Sequence, residues 1–151
     1  MSKNRALQML SEQARRARDD AAGATAGARR EAERAQQTLD MLSNYLGEHL
    51  RRGSTRASFD PALLQVRDRF TRKLDAAIGE QSLERDKLEH AAEAQRRELI
   101  ARQQRLLAFE TLGARRAAAQ RAAQHRADQR QTDELAAQAS RRAPNGVSND
   151  S

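Results

Sequence analysis

Arg52-Gly53-Ser54-Thr55-Arg56-Ala57-Ser58-Phe59-Asp60-Pro61 interrupts two long stretches rich in Ala, Arg, Glu, Gln and Leu. Those five residues are strong helix formers, whereas Gly and Pro inside a helix cost about 1 and about 3 kcal/mol relative to Ala. Pro occurs only at Pro61 and Pro144. The chain therefore reads as two helices joined by one turn, and the off-centre break makes them unequal. Asp60 is placed to cap the second helix, and Pro61 fits its first turn, where a missing N–H costs nothing. Phe59, just before the cap, is placed to staple onto an apolar residue in the first turns.

The expected boundaries are a first helix at about 4–51, a hinge at about 52–60, a second helix at about 61–142 and a disordered tail at 143–151, within one elongated domain over 1–151. Pro144 and Gly146 stop the second helix. At 1.5 Å per residue it reaches about 120 Å, and the first helix, of about 45 residues, is much shorter. The fold class is all-α: a long two-helix antiparallel coiled-coil hairpin with an overhanging C-terminal helix.

Composition agrees with a narrow seam rather than a wide core. Hydrophobic residues make up 38% of the 151 residues, but Ala supplies much of that share and aromatics only 3%. Such a chain stays ordered as extended helices that bury one stripe. In the first arm Leu7, Leu10, Ala14, Ala17, Ala21, Ala24 and Ala28 alternate steps of three and four. One further step of four leads to Ala32, Ala35, Leu39, Leu42 and Leu46, which predicts a stutter near Ala28. Full burial of a Leu contributes about 1.5–3 kcal/mol, far more than an Ala methyl, so the hinge-proximal end should hold most strongly. Gly23 and Gly27 weaken the middle further.

The second arm carries Leu63, Val66, Phe70, Leu74, Ala77, Ile78, Leu88, Ala92, Leu99, Leu106 and Phe109, then thins to Ala117, Ala123, Ala127 and Leu135. Folding back sets the first arm against residues 61–106, with Leu46 near Leu63 or Val66 and Leu7 near Leu99 to Leu106. About 35 residues from Phe109 onward are left without an internal partner, and an unpaired amphipathic helix of that size invites an external partner, self-association or disorder. Asp68 with Arg72 and Glu93 with Arg97 are four-apart pairs on solvated faces.

Several chemistries are excluded. With no Cys there are neither disulfides nor thiolate metal sites. His49, His90 and His125 are far apart and form no metal-binding spacing, so they read as structural or solvent-facing. The glycines are dispersed, and GxxxxGK[ST] is absent. Neither Ser nor Tyr45 stands in a triad setting. No catalytic, cofactor or metal residue is assigned, no cofactor is expected, and function rests on surface contacts. No segment approaches the roughly 20 apolar residues of a membrane span, and no apolar run of signal length stands near Met1, which points to a cytosolic chain.

The segments Leu39–His49, Leu106–Arg116 and Asp128–Leu135 together resemble the flagellar export protein FliJ family. Leu39-Asp40-Met41-Leu42-Ser43-Asn44-Tyr45-Leu46-Gly47-Glu48-His49 is similar to the end of that family's first helix, with His49 in place of the usual second aromatic. Leu106-Leu107-Ala108-Phe109-Glu110-Thr111-Leu112, followed by Arg115-Arg116, resembles its later aromatic-Gln-Thr-Leu-x-x-Arg segment. Asp128-Gln129-Arg130-Gln131-Thr132-Asp133-Glu134-Leu135 is similar to its Asp-x-Lys-x-x-Asp-Glu segment before a basic end. The likeness covers both arms, the hinge position and the overall size.

The resemblance implies a non-enzymatic component of the flagellar type III export apparatus, shaped like the central stalk of rotary ATPases. Its implied partners are the hexameric flagellar export ATPase, the cytoplasmic domain of the export gate protein, and export chaperones that it escorts. The implied location is cytoplasmic, peripherally associated with the inner membrane at the flagellar base. The family's gate-contacting strip aligns with Phe70, Leu74, Ala77 and Gln81, where Gln81 departs from the family's His and is expected to be exposed. Phe70, Leu74 and Ala77 read equally as core against Leu39, Leu42 and Tyr45. The implied ATPase contact lies at the open end of the hairpin, with Leu7, Leu10, Phe109, Leu112, Arg115, Arg116 and Arg126 as candidates.

The net charge of +7, from 28 Lys and Arg against 21 Asp and Glu, is compatible with RNA, anionic lipid or an acidic protein surface, and also with plain solvation of long helices. Nucleic acid is disfavoured as a partner. Doublets such as Arg15-Arg16, Arg29-Arg30, Arg51-Arg52, Arg96-Arg97 and Arg115-Arg116 could meet phosphates, but acidic residues are interspersed and aromatic stacking platforms are nearly absent. A self-associating scaffold, pairing through the overhang, stays open.

Overall fold

The structure, a computed structural model, describes residues 2–55 and 60–143. They form α1 (Ser2–Thr55) and α2 (Pro61–Arg142), 54 and 82 residues long, with no strand among the described residues. Packing divides the chain into two compact units: Glu12–Leu106 is one, and Met1–Ser11 with Leu107–Ser151 is the other. The staple expected of Phe59 and the tail from Pro144 onward lie outside the described residues.

The start of α2 forms as its sequence dictates. The Asp60 carboxylate accepts a hydrogen bond from the Ala62 amide at 3.1 Å, and the Asp60 carbonyl accepts the first helical bond from Leu64, also at 3.1 Å. This is an N-cap followed by Pro at the first helical position. α1 runs on to Thr55, past the Gly53 that was expected to lie in the hinge. Two contacts offset the helix-weakening effect of glycine there: Arg67 Nη1 donates to the Gly53 carbonyl at 3.4 Å, and Ser54 Oγ donates to the Arg51 carbonyl at 2.8 Å.

Within Glu12–Leu106 the two helices pair in reverse order. Thr25 meets Gln95 and Gly53 meets Arg67, so the numbers of facing residues add to 120. The solvent-shielded stripe on α1 is Ala14, Arg18, Ala21, Thr25, Ala28, Ala32, Ala35, Leu39, Leu42, Leu46, His49 and Gly53, with Ala17, Gly27, Gln36 and Gly47 flanking it. On α2 it is Arg67, Thr71, Leu74, Ile78, Gln81, Arg85, Leu88, Ala92, Gln95, Leu99, Arg102 and Leu106. Both alternate steps of four and three without interruption, which is heptad spacing. The register sets small side chains against large ones, Ala14 against Leu106, Ala21 against Leu99 and Ala32 against Leu88, so a seam poor in bulk on one side is filled from the other.

Two expectations are corrected here. The stutter near Ala28 is absent: the stripe passes through Arg18 and Thr25, while Ala24 and Leu10 are exposed. An apolar-only reading skips polar side chains whose stems or hydroxyls still fit the seam. The register also differs. Leu46 faces Leu74, whereas Leu63, Leu64 and Val66 are 48%, 52% and 63% exposed. The cause is the continuation of α1 through Gly53, which moves the reversal several residues along the chain.

Polar groups pin this register. Thr25 Oγ1 lies 3.0 Å from the Gln95 carbonyl, Gln81 Nε2 donates to the Ala35 carbonyl at 3.2 Å, and Arg85 Nη1 donates to Gln36 Oε1 at 3.3 Å. Arg85 also donates from Nε and Nη2 to Asp86 Oδ1, at 3.0 and 2.7 Å. That carboxylate raises the hold of the guanidinium on its proton, against the opposing effect of desolvation. On the solvated faces Asp68–Arg72 closes at 3.0 Å and Glu93–Arg97 at 3.6 Å, as their spacing predicts.

In the other unit, Leu7 and Ser11 of α1 and Phe109, Gly113 and Arg116 of α2 are half-buried. Leu7 packs by Gly113: a Cβ at that glycine would lie 3.7 Å from Leu7 Cδ2. The expected partners of Leu7, Leu99 to Leu106, are thus replaced by a residue further along, for the same reason that the register moved. Every residue from 117 to 143 is exposed.

Candidate functional site

The face around Phe70 is built by two helices. Phe70 is 39% exposed and sits edge-on to two α1 rings, His49 at 4.8 Å between centroids and Tyr45 at 6.1 Å, with interplanar angles of 66° and 67°. Edge-to-face pairs of this kind contribute about 0.5–1.5 kcal/mol beyond their area, so the Phe70 ring is held while one side stays accessible. His49, standing where the family's second aromatic is expected, takes an aromatic role here.

The other strip residues divide by burial. Leu74 is buried at 9% exposure and Ala77 is half-buried. Gln81, expected to be exposed, is half-buried and tied to the Ala35 backbone, because its position falls on the heptad stripe. Phe70 therefore offers the accessible apolar area of the strip, and Leu74 and Gln81 hold it in place. Tyr45, a possible core partner of Phe70 from sequence, is instead 57% exposed and extends this face.

The second cluster lies in the unit formed by Met1–Ser11 and Leu107–Ser151. Leu10 and Leu112 are 41% and 40% exposed, large apolar side chains left partly open to solvent. Leu7, Phe109 and Arg116 are half-buried, and Arg115 and Arg126 are exposed. A shallow depression is lined by Lys3, Asn4, Arg116, Ala119 and Gln120, so cations from both helix segments converge there. Leu7 and Phe109 support this surface, while Leu10, Leu112 and the arginines present it.

Among the described residues no group of His, Asp and Glu could hold a metal ion, and no helix is long and apolar enough to cross a membrane.

The family described as Flagellar FliJ protein matches residues 2–145. The chain belongs to the FliJ family. The match spans both helices, and it agrees with the resemblance carried by the segments at 39–49, 106–116 and 128–135. FliJ proteins are non-enzymatic components of the flagellar type III export apparatus. No curated protein matches the chain. The exposed Leu63, Leu64 and Val66 escaped the sequence reading, which had assigned Leu63 and Val66 to the seam; only the register reveals that they lie outside it.

Proposed function

We propose that this FliJ-family chain is an adaptor or stalk of the export apparatus, an antiparallel coiled-coil hairpin with an overhanging C-terminal helix, serving as one elongated domain. It binds the hexameric export ATPase through Leu7, Leu10, Phe109, Leu112, Arg115, Arg116 and Arg126. It binds the cytoplasmic domain of the export gate protein through the face centred on Phe70, with Leu74, Ala77 and Gln81 behind or beside it, and it escorts export chaperones. Its place is the cytoplasmic side of the inner membrane at the flagellar base.

The observation that carries this reading is the uninterrupted exposure of residues 117–143 in a helix that continues to Arg142. A helix that buries nothing along seven turns gains no tertiary stabilisation of its own, and a partner surface supplies what is missing. Leu112 and Leu135 offer apolar anchors, and arginines beside them suit bidentate pairing with carboxylates on a ring. Two contacts on one chain link ATPase and gate.

A pull-down from cytosol with the purified chain should recover the export ATPase, and the chain should change the rate of ATP hydrolysis by that enzyme. Failure of both rejects the adaptor reading.

A further inference from the structure

The end of the Glu12–Leu106 unit nearest the chain reversal carries apolar side chains that the seam does not use. Leu63, Leu64 and Val66, in the first two turns of α2, are each about half exposed or more, and so is Leu50 near the end of α1. Leu63, Val66 and Phe70 stand at i, i+3 and i+7 on one face, which Val66, Arg69 and Lys73 share at the same spacing. The described residues between 48 and 73 hold the cations Arg51, Arg52, Arg67, Arg69, Arg72 and Lys73 against the anions Glu48, Asp60 and Asp68. On the face of Leu63, Val66 and Phe70 the exposed cations are Arg69 and Lys73, so apolar side chains and positive charge stand there together.

Large exposed leucines rimmed by cations are the pattern by which a helix settles at the headgroup boundary of an anionic bilayer. Apolar side chains enter the acyl boundary while Arg and Lys stems run up to lipid phosphates. A carboxylate-rich protein surface would use the cations but not the leucines. A dry apolar groove would use the leucines but strand the cations.

We propose that the start of α2, through Leu63 and Val66 with Arg69 and Lys73, binds the surface of an anionic membrane. This stands independently of the ATPase and gate contacts, since neither is needed for a lipid vesicle to be bound. Such a contact would hold the chain at the membrane through the start of α2.

The test is flotation of the full chain with vesicles of about one third phosphatidylglycerol in phosphatidylcholine, against vesicles of phosphatidylcholine alone. The chain should float with the anionic vesicles, and less so as salt rises. Reversing Arg69→Glu and Lys73→Glu should weaken binding by about fivefold or more for each charge. A variant with Leu63→Ser and Val66→Ser should lose most binding at unchanged charge. Both residues lie outside the seam, so helicity by circular dichroism should be retained. Reversing Arg29→Glu and Arg30→Glu, equal in charge but elsewhere, should weaken binding much less. Equal flotation with both vesicle types would overturn the proposal. So would variants that bind vesicles like the parent, or a Leu63→Ser and Val66→Ser variant that loses only capture by the gate protein's cytoplasmic domain.

Discussion

Thr25 of α1 reaches the backbone of Gln95 on α2: its hydroxyl lies 3.0 Å from the Gln95 carbonyl and 2.7 Å from the carbonyl of Ala21, one turn back on its own helix. A single proton is shared between the two acceptors, and the shared geometry fixes which residue of α2 stands opposite. Thr25→Val keeps the branching and removes the hydroxyl. Both carbonyls can still accept their own helical bonds, so no buried group is stranded, and the expected loss is about 0.5–1 kcal/mol. Urea unfolding followed by circular dichroism measures it; no loss at all would mean that Thr25 does not contribute to the register.

The glycines on the outer faces should be dispensable. A Cβ at Gly23 or Gly79 would meet nothing within 4 Å, and neither backbone adopts a positive φ. Each change to Ala should raise stability by about 0.5–1 kcal/mol through helix propensity. Thermal melts of Gly23→Ala and Gly79→Ala should both move up. A downward shift for either would show that its glycine has a role in packing against another molecule or copy.

Leu74 and Phe70, four residues apart in one candidate strip, should separate in their effects. Leu74 is buried against the α1 stripe, so Leu74→Ala should cost about 2–3 kcal/mol, at the lower end for buried Leu because the seam is thin. Phe70, with its accessible side and two edge contacts, should cost about 1–2 kcal/mol when cut to Ala. Gate binding per folded molecule should fall for Phe70→Ala and stay near the parent value for a Leu74→Met variant, which preserves volume. If both affect binding equally after correction for folding, the strip acts as a unit.

How much was legible in sequence follows from these same residues. Asp60, Pro61 and the four-apart ion pairs act locally, and local rules name them without a structure. The two helices follow from composition and one break. Thr25 and Arg18 went unread, and Gln81 was expected on the surface, because a hydropathy stripe records only apolar side chains, yet a hydroxyl, an aliphatic stem or an amide also fills a narrow seam. The register was missed because it depends on how far α1 continues past Gly53, and an Arg67 hydrogen bond decides that from the other helix. The site candidates came from the family resemblance. Their division into support and presentation, with Leu74 buried and Phe70, Leu10 and Leu112 open, became visible only with the register in hand.

The central claim is that α2 beyond Leu106, with the first residues of α1, is the ATPase-binding element of this FliJ-family chain. The direct measurement is the affinity of the purified export ATPase for the full chain and for a chain ending at Leu106, which keeps the Glu12–Leu106 unit whole and removes Phe109, Leu112, Arg115, Arg116 and Arg126. The account expects the shortened chain to keep its helical signal over the remaining residues and to bind at least about tenfold more weakly, as loss of a partner-binding helix should produce. Equal affinity of the two chains, with both folded, would contradict it.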